Sequence, residues 1–486
     1  MSETGQGNAA HIVVLAYNSL ARDTRILKQI ATLTAAGYRV TALALTDETD
    51  TAHDLSDPDR HIYRVPLNPV EAPQPPDDWQ LAEQLYGGPV AELLDTADEA
   101  FASYRDLRRA IGLLRVGAFL KWSAAKRAAG RQRLKALRLQ LREMMFDQVA
   151  GATRLGSVVW YETAVRQFCA SAPEWRARLD ALGPPAVIHA HDLYTLGAGA
   201  FLAHHHGAKL VYDAHEYEPE RNPPLPPDQR RVIQLLEDRV LSHASGLITV
   251  SESIVRLYQR RKPGLDVRLV QNCPDLRAAV SDVPGLRERT GLARDVPLMV
   301  FVGLPKLDSR GLRITLDALA LLPEVHMAVI GQRWKQEDRD LMAAARAAGL
   351  ENRIHLLDPV APEDVITAIR DADVSTCLIQ DSTLSYRFSM PNKLFEALLA
   401  GVPTIVSDLP DMGGLIRRLE VGLVVDQTDP EAIAGAVRRI LADRKAFVPS
   451  GPARMELEND CSWAGQETVL LEFYRTLVPG SDNTRS

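Results

Sequence analysis

The chain has 486 residues, 46% of them hydrophobic and 24% charged, enough to bury more than one core and too many for one ordinary domain. A net charge of -7 argues against nucleic-acid binding over the whole surface, and four cysteines without C-x-x-C spacing (Cys169, Cys273, Cys377, Cys461) argue against a zinc or disulfide framework. Met1–Gly7 lacks a basic start leading into an apolar run, and no stretch of about 18 uninterrupted apolar residues follows, so the expectation is a cytoplasmic protein without signal peptide or spanning helix.

In chain order, the apolar run His11–Tyr17 predicts a strand. Asp23–Ala36 has helical spacing (Ile26, Leu27, Ile30, Leu33), and the β-branched run Arg39–Leu45 completes a βαβ unit. Strand-like runs return at Val187–Ala190, Lys209–Asp213, Gly246–Val250 and Val267–Gln271, so residues 9–275 are expected to hold one doubly wound parallel sheet. A second series (Leu298–Val302, His326–Gly331, Arg353–Leu357, Val374–Leu378, Pro403–Ser407, Gly422–Val425) describes another complete α/β domain. The boundaries predicted are 1–280 for the first domain and 281–455 for the second, with Pro274–Arg294 as linker. A C-terminal helix within 456–480, at Trp463–Leu477, precedes a disordered tail, Ser481–Ser486.

The first domain is interrupted at about 68–180, where Pro66–Pro76 precedes a helical region foreign to a minimal Rossmann unit. Arg105–Arg142 carries twelve Lys/Arg against one acid, Asp106, interleaved with apolar residues such as Leu113, Phe119, Leu120 and Trp122. A basic amphipathic helix pair fits this pattern. Three uses stay open for it: contact with an anionic membrane surface, internal packing with solvated arginines, and an anionic soluble acceptor.

In open α/β sheets ligands bind beyond the carboxyl ends of the strands. After the first strand Asn18-Ser19 stands where a nicotinamide or flavin site would need G-x-G-x-x-G, which argues against a dehydrogenase. His191-Asp192 puts an imidazole at a strand end, able either to hydrogen-bond a sugar hydroxyl or to cap a buried polar network. Asp213-Ala214-His215-Glu216 reads equally as cleft lining or as a set of caps and ion pairs. In the second domain Gly303 ends a strand and Ser309-Arg310-Gly311 opens a helix, offering N–H groups and a cation to phosphate. Ser389-Met390-Pro391-Asn392-Lys393-Leu394-Phe395-Glu396 opens another helix whose terminus, with Lys393, can face a diphosphate while Glu396 accepts two ribose hydroxyls.

On these strings the chain resembles glycosyltransferase family 4, retaining enzymes of the GT-B type. The resemblance rests on Asp23-Thr24-Arg25, His189–Asp192, Asp213–Glu216, Val250-Ser251, Asn272-Cys273-Pro274, Arg310-Gly311-Leu312, Ser389–Glu396 with Ala400–Pro403, and Ser462-Trp463. It implies an α/β GT-B fold, two Rossmann-like doubly wound domains facing across a cleft, with the helical insertion in the N-terminal acceptor domain. It further implies a hexosyltransferase using a nucleotide-diphosphate sugar, with His191, Arg310 and Glu396 as catalytic residues and donor contacts from Gly303, Lys306, Arg310 and Ser389 through Lys393. Asn18, Ser19, Arg25, Asp192, Asp213, His215 and Glu216 would line the acceptor side of the cleft.

Three positions depart from the family pattern. Phe388 stands for the first glutamate of the E-x7-E pair, leaving Ser389 as substitute; Leu304 stands for the arginine after Gly303, leaving Lys306 as the cation; and Asn18-Ser19 replaces paired glycines. The acceptor is expected to be a polysaccharide, glycolipid or small molecule, with a lipid-linked acceptor at the inner face of the membrane among the options. No obligatory cofactor, metal or nucleic acid is expected. A catalytically impaired homologue acting as a binding partner, and an epimerase or phosphorylase of the same fold, remain as alternatives.

Overall fold

The structure, a computed structural model, describes residues 9–20, 23–46, 54–57, 60–66, 179, 182–225, 227–278 and 282–479. The expectations for Met1–Gly7, the basic stretch Arg105–Arg142, the rest of the insertion and Ser481–Ser486 lie outside the described residues.

Among the described residues eight strands form the first sheet: β1 (His11–Leu15), β2 (Arg39–Thr46), β3 (Asp54–Asp57), β4 (Arg60–Pro66), β5 (Val187–His191), β6 (Lys209–Ala214), β7 (Gly246–Thr249) and β8 (Val267–Leu269). Their order is β3-β4-β2-β1-β5-β6-β7-β8. The second sheet holds β9 (Leu298–Val302), β10 (His326–Ile330), β11 (Ile354–Leu357), β12 (Val374–Cys377), β13 (Thr404–Ser407) and β14 (Gly422–Val425), in the order β11-β10-β9-β12-β13-β14. The chain winds one way from β1 and the other way from β5, and likewise from β9 and from β12. Each sheet therefore has its topological switch point, and its ligand crevice, at the carboxyl ends of a paired couple: β1 with β5, β9 with β12.

The expectation of a wholly parallel first sheet is corrected. β3 runs antiparallel to β4 at the edge, and neither strand was anticipated. Asp54-Leu55-Ser56-Asp57 has no apolar alternation, so its pairing comes from β4 rather than from local preference.

Local chemistry explains the first helix well. Asp23 caps Thr24–Ala35 by accepting from the Ile26 N–H at 3.1 Å; Ile26, Ile30 and Leu33 then face the sheet at helical spacing, and Gly37 turns the chain at φ 89°. The stretch read as linker contains a short helix, Leu286–Thr290, whose Leu286 is buried against Leu298, Val300 and Ala328 of the second domain. Its first two N–H groups donate to the Asp371 carboxylate, each at 3.0 Å.

The last helix, Trp463–Leu477, crosses back onto the first sheet. Trp463, Leu470, Phe473 and Tyr474 are buried in one cluster with Ile12, Val14, Ile30 and Val40, each such burial contributing roughly 1.5–3 kcal/mol. Trp463 Nε1 donates to Thr32 Oγ1 at 3.0 Å. Approach of the helix is closest at Gly246, where a Cβ would lie 2.4 Å from the Phe473 ring.

Candidate active site

At the carboxyl end of β5 and β6 the polar cluster is organised around Asp213, which is fully buried. Arg25 grips it with two hydrogen bonds, Nε to Oδ2 at 3.1 Å and Nη2 to Oδ1 at 2.6 Å, and Gln29 Nε2 adds a third to Oδ2 at 2.7 Å. Burial alone would raise this carboxyl, but the Arg25 charge and the neighbouring histidines outweigh it and hold Asp213 well below the usual carboxylate range. A charged acceptor therefore sits beneath the mouth of the sheet.

His191 reads that charge. Its Nδ1 is 3.3 Å from Asp213 Oδ2 and 3.1 Å from His215 Nε2, while its Nε2 has no hydrogen-bond partner among the described residues. Burial, helped by the adjacent His189 and opposed by Asp213, pushes His191 down to about 3, so the ring is neutral at physiological pH. With the carboxylate facing Nδ1, the proton belongs on Nδ1 and the lone pair on Nε2. A hydroxyl that donates to Nε2 suits this tautomer better than a developing negative charge does.

Arg25 and Asp213, expected to line the cleft, are both buried, and their guanidinium–carboxylate pair lies beneath the strand ends. Asp192 and Glu216 are half-buried at the rim, both raised by burial, and Asp192 is held at φ 59°, a left-handed conformation costly for a residue with a Cβ. His215 bridges the two levels, its Nδ1 lying 3.3 Å from Asp192 Oδ2. Asn18 and Ser19 are exposed after β1, and Asn18 braces its own turn, accepting from the Leu20 N–H and donating to Asp23, both at 2.8 Å. His189, Gln29 and Tyr474 were not anticipated as site residues. Tyr474 comes from the last helix, and no local signal connects it with β5.

His189, His191 and Asp213 place ligand-type atoms within 4.8 Å of one another. Asp213 already has both oxygens engaged by Arg25, so a guanidinium supplies beside the carboxylate the positive charge that a metal ion held by this trio would bring.

In the second domain Gly303 has φ 117°, and a Cβ there would stand 3.5 Å from Arg310 Nη1, so the guanidinium lies against the strand-end backbone. Gly311 has φ 73° and would put a Cβ 2.1 Å from Leu378 O. Both glycines are required here. Lys306 is exposed, and Ser389 donates its hydroxyl to Tyr386 O at 2.8 Å. The helix Asn392–Leu399 begins after Pro391 without a side-chain cap, which leaves its first N–H groups to other partners. Lys393, expected to help hold a diphosphate, is buried with Nζ 3.8 Å from the Phe301 ring centroid and without a hydrogen-bond partner among the described residues; burial pushes it down to about 8. Glu396 is pushed up to about 7 by burial, against the charges of Lys28 and Lys393.

The domains also touch at the residue that departs from the family pattern. Leu384 and Phe388 pack against the hydrophobic cluster of the first sheet, and between them Ser385 Oγ accepts from the Tyr217 N–H at 3.1 Å and donates to Glu216 at 3.2 Å. A glutamate at 388 would have to be desolvated in that contact.

Known proteins resemble this chain in both domains. The profile "Glycosyl transferases group 1" matches residues 296–443, and "Glycosyl transferase 4-like domain" matches residues 124–273. A D-inositol 3-phosphate glycosyltransferase of Xylanimonas cellulosilytica is 29% identical over 289 residues, 54% of this chain and 66% of that protein. A phosphatidyl-myo-inositol mannosyltransferase of Mycobacterium leprae is 27% identical over 240 residues, 48% of this chain and 59% of that protein. The matched stretch thus spans less than two thirds of either relative. Among solved structures, sucrose-phosphate synthase from Thermosynechococcus elongatus superposes with a TM-score of 0.64 at 17% identity, over 96% of this chain and 99% of that one. Anabaena HepE in complex with UDP gives 0.57 at 15% identity, over 96% and 100%. These likenesses establish the two-domain GT-B fold.

Proposed function

The chain belongs to glycosyltransferase family 4, and from that premise we propose that it is a retaining glycosyltransferase moving a sugar from a nucleotide-diphosphate donor to a hydroxyl acceptor. One observation supports the donor assignment: Arg310 and Glu396 are both charged neighbours of Lys393, which lies in the first turn of the uncapped helix Asn392–Leu399. A guanidinium and helix N–H groups suit a diphosphate, and a carboxylate suits a ribose diol. His191, neutral with its Nε2 lone pair unshared, orients the transferred sugar through a hydroxyl. The leaving diphosphate then takes the acceptor's proton on the same face of the sugar, so no protein nucleophile is needed, and domain closure excludes water.

The basic stretch Arg105–Arg142 would bring the enzyme to an anionic membrane surface and a lipid-linked acceptor. Among the described residues no helix is long and apolar enough to cross a membrane.

The deciding experiment titrates the protein with UDP, GDP, ADP and their common sugars, then follows hydrolysis and transfer by NMR. Retention of the anomeric configuration in the product is expected, with Arg310→Ala and Glu396→Ala each weakening nucleotide binding roughly 10- to 150-fold. Release of epimerised donor, or reaction with inorganic phosphate, would instead assign an epimerase or phosphorylase. Binding without turnover would assign a silent homologue.

A further inference from the structure

We propose that the hollow between Asn222 of the first domain and the start of the helix Leu312–Ala320 in the second is a carbohydrate subsite, taking a neutral sugar ring of an acceptor that carries at least two sugar residues. This rests on the transferase reading made above.

The hollow opens at the switch point of the second sheet. One wall is the start of the helix that follows β9, with Ser309, Gly311 and Ile314, and the other is the stretch after β12, with Gln380 and Ser382. Asn222 closes it from the first domain. The two second-domain walls are locked together, since the Gln380 N–H donates to Ser309 O at 3.3 Å and a Cβ on Gly311 would lie 2.1 Å from Leu378 O. The volume is about 410 Å³, within the range of about 300–1,000 Å³ usual for small-molecule sites.

Its polar groups suit a hydroxylated, uncharged ligand. Gln380 donates both amide hydrogens, to Leu378 O at 3.1 Å and Gln427 O at 3.3 Å, which fixes the carboxamide and leaves Oε1 as an acceptor. Across the hollow Asn222 Oδ1 accepts from Ser382 Oγ at 3.3 Å, leaving Nδ2 as a donor. A fixed acceptor facing a fixed donor matches hydroxyls, which do both, while Ile314 and Gly311 offer an apolar floor to the C–H face of a ring. An anion is poorly served. Arg313 Nε is paired to Asp308 Oδ1 at 2.5 Å, and Asp317 adds a further negative charge. Neither Lys393 nor Glu396 lines the hollow, so it is separate from the proposed ribose contact.

The hollow is joined to the first-domain site by one strap. Glu216 stands at the rim beside His215, Asn222 stands in the hollow, and Ser385 and Ser382 of the second domain hold the two ends. Six residues span at most about 20 Å, so an acceptor with its reacting hydroxyl near His191 reaches the hollow by running a few sugars along the strap.

The test measures Kd by calorimetry for methyl mannoside and for neutral tetrasaccharides of mannose, glucose or galactose, with wild type, Gln380→Ala and Ser382→Trp. UDP, GDP and ADP and their glucose and mannose derivatives are titrated into the same proteins. At least one tetrasaccharide should bind wild type more tightly than the monosaccharide does. Gln380→Ala should weaken it about three- to tenfold, the loss of one hydrogen bond. Ser382→Trp, at an exposed position, fills the hollow and should bring the tetrasaccharide down to the monosaccharide's affinity while nucleotide Kd stays unchanged. No tetrasaccharide exceeding the monosaccharide, or undiminished binding in both variants, overturns the proposal. So does a Ser382→Trp loss confined to the nucleotide-sugar, which would put the donor's own sugar in the hollow. Tetrasaccharide binding by a wild type that takes no nucleotide would remove the transferase reading and, with it, the acceptor role of the hollow.

Discussion

Tyr474 and His189 lie 285 residues apart and share a 2.6 Å hydrogen bond between the phenol and Nδ1, both side chains fully buried. The last helix of the chain therefore braces the strand that ends in His191. Tyr474→Phe keeps the ring and leaves the imidazole nitrogen unpaired, which should cost about 1–3 kcal/mol. Urea denaturation followed by tryptophan fluorescence would measure it; a loss below about 0.5 kcal/mol, within the range of an ordinary surface substitution, would mean that the contact carries no energy.

Removing Arg25 leaves Asp213 as an uncompensated buried charge. Arg25→Met is expected to destabilise by roughly 3–5 kcal/mol, and adding Asp213→Leu should recover part of that loss, since an apolar pair of similar bulk avoids both desolvation costs. Additive losses in the double variant would show that the two residues do not act as a pair.

Acid should weaken the fold through the same cluster. His191 is depressed from 6.5 to about 3, so between these values the unfolded chain binds a proton that the folded chain refuses, and stability falls as pH falls. The slope is about 1.4 kcal/mol per pH unit for each such histidine. Asp213, depressed in the fold, contributes stability that is present above its ordinary value near 3.8 and is lost only as pH drops through its lower folded value. His191→Asn should flatten the curve between pH 6 and 4 and leave it unchanged above pH 7.5; equal slopes in both proteins would contradict the buried neutral imidazole.

Gly311→Ala tests the proposed phosphate contact of Ser309–Gly311. Strain at φ 73° costs about 1–3 kcal/mol, and the clash of the new Cβ with Leu378 O at 2.1 Å forces Ser309–Gly311 out of position. Nucleotide affinity should fall with stability. Gly264→Ala is the control: φ there is 89° with nothing within 4 Å of the Cβ, so only the strain applies and affinity should hold. Equal nucleotide affinity in the two variants would detach the loop from the donor.

For the basic insertion, vesicles containing anionic lipid should sediment the protein at low salt and release it as salt shortens the Debye length below about 8 Å. Replacing Arg127, Arg131, Lys135 and Arg138 by glutamine should abolish sedimentation. Wild-type protein left in the supernatant with anionic vesicles would end the membrane reading.

Sequence by itself determined most of the strands, the first and last helices and which residues stand at strand ends, because those features follow from local periodicity and local hydrogen bonds, but not the edge strands β3 and β4 or the short helix Leu286–Thr290. Ile26, Ile30 and Leu33 announce one helix face, Asp23 its cap, and His191, Gly303 and Glu396 fall at the carboxyl sides of their sheets as the pattern requires. Tertiary structure decided the rest. Arg25 and Asp213 are 188 residues apart, and only the β1–β5–β6 register brings them together and buries both, turning two expected ligand contacts into a support. Lys28 gives no sign in sequence of its contact with Cys273 O, 245 residues away, nor Trp463 of its return to the first sheet. Such partners are chosen by the packing of whole elements, whose energy is spread over many side chains and leaves no mark in the spacing of any one segment.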